Sequence, residues 1–224
     1  YEIPLRLVGS EMCIRDSEEG WYKKALDTDL ARPKFAIMNP EITYTLPDYQ
    51  TQCGCADIMM HTMERYFVLE DTMEITDKIA QDVMKNVMKY AKILKKDPEN
   101  YEARAEIMWC GSLSHNGLTG CGTCGGDWAT HLIEHELGGM FDVAHGAGLA
   151  AVWGSWARYV MDEKPERFAQ FAVDVMGVEE SDDVKSTALK GIEAVEEFYR
   201  MIEMPTNMKE LGINPTDEQI KDMA

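Results

Sequence analysis

Apolar side chains recur at helical spacing along most of the sequence after Pro47. The clearest stripe has members three or four positions apart between residues 71 and 94: Ile75, Ile79, Val83, Val87, Ala91 and Leu94. Residues at this spacing share one face of an amphipathic helix. Asp97-Pro98 ends the helix, because proline lacks a backbone donor and restricts the residue before it.

Three further helices are predicted by the same reasoning. One begins at Asn100 and covers 101–114, one covers 165–176, and one runs from Ser181 to Pro205. The helix over 165–176 is expected to bury Phe168, Phe171, Ala172 and Val175. The helix after Ser181 carries an apolar face of Val184, Ala188, Ile192, Val195, Tyr199 and Ile202.

The ends of this helical region carry two local signals. Residues 33–38 have the composition of a strand, and Asn39-Pro40 stops it. Thr216 and Gln219 have the spacing of a capping box that starts a last helix. The sequence therefore predicts a mainly α fold, a helical bundle approached by a single strand.

The methionines are expected to fill the core of this bundle. There are sixteen, and several lie at helical spacings: Met59, Met60, Met63, Met84 and Met88. Methionine is a flexible apolar side chain that commonly fills gaps between helices.

Composition excludes several classes of function. The 224 residues are 45% hydrophobic and 28% charged, which suits a globular fold with a real core. No apolar run approaches the roughly 18 residues of a membrane span. The 22 basic residues face 40 acidic ones, giving a net charge of −18, so nucleic-acid and anionic membrane partners are disfavoured.

The cysteines and the chain ends bear on location and completeness. Six cysteines are scattered through a chain with an ordinary core, which favours a reduced, cytoplasmic protein. Residues 1–17 contain no signal-peptide core and resemble a translated sequencing adapter, so we expect an artefact or a disordered tail without function. The last predicted helix stops barely past one turn, which suggests a fragment truncated at both ends.

Two pairs of polar residues at helical spacing suggest a metal site. Asp57 and His61 are four residues apart and share a helix face, as do His131 and His135. A single helix over 131–145 would separate His131 from His145 by about 21 Å. We expect Gly138-Gly139 to break the helix and return His145 toward the same ion. One carboxylate and three imidazoles suit Fe(II) or Zn(II) and leave room for an external oxygen ligand.

Other interpretations of these residues stay open at this point. The run from His131 to His135 spells H-x-x-E-H, the pattern of a zinc metallopeptidase in which both histidines bind zinc and Glu134 is the general base. Cys121 and Cys124 form a single C-x-x-C among glycines, for which a plain loop is the simplest interpretation. His115 has no helical partner of this kind and is expected to be an ordinary helix-end residue. A helical interaction domain with coincidental histidine pairs is the non-enzymatic alternative.

Four segments resemble the iron-containing (group III) alcohol dehydrogenases, closest to their butanol dehydrogenase branch. They are residues 36–47 (AIMNPEITYTLP), 56–66 (ADIMMHTMERY), 128–137 (WATHLIEHEL) and 144–146 (AHG). The resemblance extends over residues ~20 to 224 and is much more specific than the five-residue peptidase pattern. It implies a two-domain enzyme, with a Rossmann-like nucleotide domain and an all-helical metal domain. Residues 18–40 would then be a remnant of the first domain, and 41–224 the second.

The resemblance also implies roles for individual residues. The family's metal ligands fall on Asp57, His61, His131 and His145, and its additional active-site histidine near the nicotinamide falls on His135. Lys23, or its neighbour Lys24, would correspond to a lysine near the cofactor.

The same resemblance sets expectations for the reaction. A complete enzyme would reduce small aldehydes or oxidise alcohols with NAD(H) or NADP(H) and Fe(2+) or Zn(2+), as a homodimer. The family's glycine-rich phosphate loop has no counterpart here, so we expect a fragment that is inactive alone.

Overall fold

The computed structural model describes residues 34–69 and 73–223 in full, and residues 11–16 and 23–27 by their backbone. The two backbone segments are strands, β1 (Glu11–Asp16) and β2 (Lys23–Asp27), which pair antiparallel. Glu11 opposes Asp27 and Asp16 opposes Lys23, with an irregularity between Met12 and Arg15. The other residues of the segment 1–17, expected to be an artefact or a disordered tail, lie outside the described residues.

Helices form most of the remainder of the described chain. Their bounds are α1 (Asp48–Tyr66), α2 (Glu74–Leu94), α3 (Tyr101–His115), α4 (Ala129–Phe141), α5 (His145–Val160), α6 (Pro165–Asp174), α7 (Val184–Met201), α8 (Met208–Leu211) and α9 (Asp217–Asp222). Short 3-10 turns occupy Pro40–Thr43, Leu118–Gly120 and Met161–Glu163. The mainly α prediction is confirmed. None of the helices in the described part of the chain has the length and apolar character needed to cross a bilayer.

Helix α1 lies at the centre of the bundle, because α2, α3 and α5 all pack against it. Its buried face includes Met59, Met60 and Met63, while Met84 and Met88 of α2 are buried opposite. The expected packing role of these methionines is therefore confirmed. On the far side, α6 packs closely against α7 around Phe171 and Tyr199.

Most predicted helix boundaries agree with the structure. Asn100 caps α3 by accepting a hydrogen bond from the Ala103 amide, and Thr216 and Gln219 form the expected capping box of α9. The stripe on α2 is buried from Val83 onward, whereas Ile79 is half-buried and Ile75 is 66% exposed. The first turn of α2 buries Thr76 and Asp77 instead, so the buried face is rotated at that end.

The strand predicted over 33–38 is wrong for the part that the structure describes. Residues 34–38 have no regular structure, and the side chains of Phe35 and Ile37 are 79% and 77% exposed. A strand is stable only when a neighbouring strand accepts and donates its backbone hydrogen bonds. Within the described chain, this segment has no such neighbour.

Candidate metal centre

Three helices contribute the four residues that the sequence singles out. Asp57 and His61 lie one turn apart near the middle of α1, His131 lies in the first turn of α4, and His145 is the first residue of α5. Helices α4 and α5 follow each other in the sequence and pack together, and α5 packs against α1, so it is tertiary packing that brings the four residues together.

The side chains converge on one carboxylate oxygen. Oδ1 of Asp57 lies 3.6 Å from Nε2 of His61, 3.7 Å from Nε2 of His131 and 3.5 Å from Nε2 of His145. The ligand atoms of Asp57, His61 and His131 lie within 4.8 Å of one another, and His145 lies outside this group of three. Of the three histidines, His145 nevertheless comes nearest to Oδ1 of Asp57.

These distances fit a cation held by N and O ligands. Tetrahedral ligands at about 2.0–2.2 Å from a metal are separated by roughly 3.3–3.6 Å, close to the separations around Asp57. Oδ1 of Asp57 and Nε2 of His131 are both buried, and neither has a hydrogen-bond partner among the described residues. Buried polar atoms are nearly always paired, so two unpaired ones facing each other indicate a missing partner between them. The residues present thus fit a divalent metal.

Two further carboxylates each support one of the histidines. Oε1 of Glu64 accepts hydrogen bonds from the backbone amide and from Nδ1 of His131, both at 3.1 Å. Oε2 of Glu134 pairs with Nδ1 of His145. Both glutamates are almost fully buried. A carboxylate on Nδ1 fixes the ring orientation and leaves Nε2 as the lone-pair nitrogen, the usual arrangement behind a metal-binding histidine.

Burial and charge shift the ionisation of this cluster. Burial alone would raise the pKa of the Asp57 carboxyl, but the close approach of His61 and the other histidine rings outweighs burial and holds the pKa well below its usual range. Burial lowers the pKa of His61 well below its usual range. Burial also opposes protonation of His145, but the nearby carboxylates of Asp57 and Glu134 raise its pKa to about 9. The carboxylate is therefore ionised, as a ligand has to be.

Two glycines let α5 approach closely enough to deliver His145. A side chain at Gly146 would run directly into the backbone carbonyl of Cys53 on α1. At Gly148, a Cβ would lie 2.7 Å from Cγ of Glu134, so the small residue makes room for the carboxylate that holds His145. The two glycines that follow His145 therefore allow α5 to pack closely against α1 and α4.

The break expected at Gly138-Gly139 does not occur. Helix α4 continues through both glycines, which are buried, and ends at Phe141. The turn comes at Asp142, whose φ of 52° is left-handed and whose amide bonds to the Gly138 carbonyl. His145 does return to the site as expected, but the chain reverses at residues 142–144. Packing stabilises the helix through the two glycines more than their backbone flexibility destabilises it.

A loop residue closes one side of the cluster. Trp128 has a left-handed φ of 66° immediately before α4 and packs edge-on against the rings of His61 and His131. The side chains of His61 and His131 are only 4% and 5% exposed, whereas those of Asp57 and His145 are 25% and 26% exposed. Solvent therefore reaches the cluster at Asp57 and His145.

The two residues expected near the cofactor are placed differently. The half-buried ring of His135 lies 6.4 Å from that of His131 and 5.6 Å from that of His145, measured between centroids. It borders the cluster without joining the group around Asp57. Lys23 begins β2, whose backbone approaches α4, but its side chain lies outside the described residues, as does that of Lys24.

Glu134 is poorly placed for the peptidase interpretation. Its side chain is fully buried and paired with Nδ1 of His145, although it also lies near His135. A general base has to reach a water on the open side of the metal, whereas this carboxylate lies behind a histidine. Cys121 and Cys124 are exposed in the loop before α4, as the plain interpretation expected.

His115 is not the ordinary helix-end residue that the sequence suggested. It ends α3, yet its Nε2 lies 3.5 Å from Oδ2 of Asp57, and its ring centroid is 3.8 Å from that of His61. No spacing rule could reveal this contact, because its partner lies on another helix. Glu64 was also missed, although Asp57, His61 and Glu64 have the four-and-three spacing of one helix face.

The sequence resembles known proteins over most of its length. The model of the Fe-containing alcohol dehydrogenase family, C-terminal part, matches residues 51–224. NADH-dependent butanol dehydrogenase A of Clostridium acetobutylicum is 34% identical over 215 residues, covering 94% of this chain and 55% of the relative. NADPH-dependent aldehyde reductase YqhD of Escherichia coli is 33% identical over 193 residues, covering 86% and 49%.

Solved structures give the same result for the fold. The crystal structure of NADH-dependent butanol dehydrogenase A from Thermotoga maritima superposes with a TM-score of 0.86 at 35% identity. The match covers 91% of this chain and 51% of that one. The chain spans about half the length of the curated relatives it matches.

Proposed function

Because the chain belongs to the iron-containing alcohol dehydrogenase family, we propose that it is the metal-binding part of an oxidoreductase that interconverts small alcohols and aldehydes with NAD(H) or NADP(H). The observation that carries the proposal is the convergence of three imidazole Nε2 atoms on Oδ1 of Asp57. We divide the chain into a nucleotide-domain remnant at 18–40 and a helical metal domain at 41–224.

Four residues would hold the ion in this proposal: Asp57, His61, His131 and His145. A set of three nitrogens and one oxygen suits Fe(2+) and Zn(2+) equally. When bound, such a cation supplies Lewis acidity toward an alcohol or aldehyde oxygen. Asp57 and His145, the two most exposed members, border the side from which a substrate oxygen would enter.

His135 is assigned to proton exchange with the substrate oxygen. It lies one turn beyond His131 on α4, and its half-buried ring borders the more exposed side of the cluster near His145. A histidine in such a place can hold or release a proton at a ring nitrogen near neutral pH. Trp128 and the buried side of α1 keep water from the other faces of the cluster.

The cofactor and the assembly complete the proposal. A nicotinamide would supply or accept the hydride, which the protein side chains cannot do. We place Lys23 near that cofactor. We also propose a homodimer as the complete form and the cytoplasm as its location. The described cysteines are all unpaired, which fits a reducing compartment.

The proposal is tested by comparing two histidines of α4. We expect the purified chain to bind Zn(2+) or Fe(2+), His131→Ala to reduce bound metal to background, and His135→Ala to retain it. Elemental analysis after equilibrium dialysis measures this. To test activity, residues 51–224 replace the matching region of the Clostridium butanol dehydrogenase A, and butanal-dependent NADH oxidation is followed. A parent chain that binds neither metal at micromolar concentrations would contradict the proposal.

A further inference from the structure

His115 contacts two of the four proposed ligands at once. Its Nε2 lies 3.5 Å from Oδ2 of Asp57. The other histidines face Oδ1, the second oxygen of the same carboxylate. Its ring lies over that of His61, with centroids 3.8 Å apart and planes inclined by 30°. His115 is therefore a third residue that supports the cluster, beside Glu64 and Glu134.

The proton on His115 decides whether this contact is attractive. A carboxylate oxygen can only accept, so Nε2 has to carry the proton to bond to Asp57. In the neutral ring, Nδ1 then has to accept a hydrogen bond. Nδ1 lies 2.7 Å from Oγ of Ser114 and 3.0 Å from the carbonyl oxygen of Gly111. Of these two neighbours, only the Ser114 hydroxyl can donate.

Ser114 is held firmly in position for this role. Its side chain is fully buried, and its backbone carbonyl accepts a hydrogen bond of 2.8 Å from Nη1 of Arg65. Its hydroxyl also lies 3.0 Å from the Gly111 carbonyl, which competes for the same proton. Without that hydroxyl, Gly111 would draw the His115 proton to Nδ1 and turn an Nε2 lone pair toward the carboxylate.

We propose that His115 is a positioning residue that holds Oδ2 of Asp57, so that the carboxylate presents Oδ1 alone to the metal, and that Ser114 sets its tautomer. The inference rests on the proposed function, because Asp57 matters here as a metal ligand. Fixing the carboxylate before the ion arrives lowers the cost of ordering the site on binding.

The test measures Zn(2+) affinity of the 224-residue chain by competition with a chromophoric chelator. We expect His115→Leu and Ser114→Ala each to weaken binding by roughly 10- to 100-fold. His115→Gln, which offers an N–H near the position of Nε2, should retain most of the affinity. The visible spectrum of bound Co(2+) should shift in His115→Leu and stay close to the parent in His115→Gln.

Controls separate this inference from the proposed function. Asp57→Asn should lose Zn(2+) binding, and a parent chain without binding would refute the metal site itself. If the parent binds but His115→Leu and Ser114→Ala bind equally well, the positioning role is refuted. Circular dichroism of the metal-free variants monitors folding. If His115→Leu fails to fold, Ser114→Ala decides, since it removes a single oxygen atom.

Discussion

Glu64 supports His131 through two hydrogen bonds to one carboxylate oxygen. Replacing Glu64 by Ala leaves the buried His131 amide unpaired, and we expect the free energy of unfolding to fall by about 1–3 kcal/mol. Zn(2+) affinity should fall by roughly 10- to 100-fold because the ring loses its orientation. Chemical denaturation and chelator competition measure the two effects.

The matched control at this position is Glu64→Gln. The amide keeps an oxygen that can accept both hydrogen bonds from His131, so we expect a smaller loss in each measurement. Equal affinity of Glu64→Ala and the parent chain would show that His131 needs no such support.

At the scale of the elements, the contact between α1 and α5 depends on Gly146. A Cβ there would overlap the backbone carbonyl of Cys53, which cannot move without shifting α1. We expect Gly146→Ala to lower the free energy of unfolding by about 1–3 kcal/mol. It should also weaken metal binding, since His145 is the preceding residue.

Gly54 on α1 is the control for this substitution. A Cβ at Gly54 meets no atom within 4 Å, and alanine is the better helix former. We expect Gly54→Ala to raise the free energy of unfolding by about 0.4–1 kcal/mol. Thermal melting of both variants provides the measurement, and similar melting temperatures would show that the approach at Gly146 is not tight.

A buried ion pair joins α6 to α2. Arg167 bonds to both carboxylate oxygens of Asp77, at 2.6 and 2.7 Å, and its Nε donates to the carbonyl of Tyr66 on α1. Without Asp77, the buried positive charge of Arg167 has no carboxylate partner. We therefore expect Asp77→Ala to lower the free energy of unfolding by about 3–5 kcal/mol.

The exposed pair of Asp82 and Lys85 on the same helix provides the comparison. These groups lie 2.7 Å apart but are largely solvated, and Asp82→Ala should cost about 0–1 kcal/mol. Urea denaturation of the two variants should therefore differ clearly. Equal losses of unfolding free energy in the two variants would indicate that water solvates Arg167 once Asp77 is removed.

For the whole molecule, the metal would add direct bonds among α1, α4 and α5, which Glu64 and Glu134 already connect by hydrogen bonds. A ligand that binds the folded chain alone stabilises it, by about 2.7 kcal/mol at a free concentration of 100 times its Kd. We expect a chelator to lower the melting temperature and to speed hydrogen exchange in α4 and in the first turn of α5. His131→Ala should melt at the same temperature with and without Zn(2+).

Local sequence rules determined much of the fold because they act within a few residues. Proline and asparagine marked the limits of α2 and α3, the four-residue spacings paired Asp57 with His61, and methionine spacing indicated the core. These features depend on the geometry of one helix, which the sequence alone specifies.

Tertiary packing decided the rest. Helix α4 runs through Gly138-Gly139 because neighbouring helices bury that turn, and residues 34–38 form no strand because the described chain offers them no pairing edge. His115 reaches Asp57 across 58 positions of sequence, and Glu134 turns behind His145 rather than toward water. Side-chain partners on different helices depend on how those helices pack, and no local pattern encodes that distance or direction.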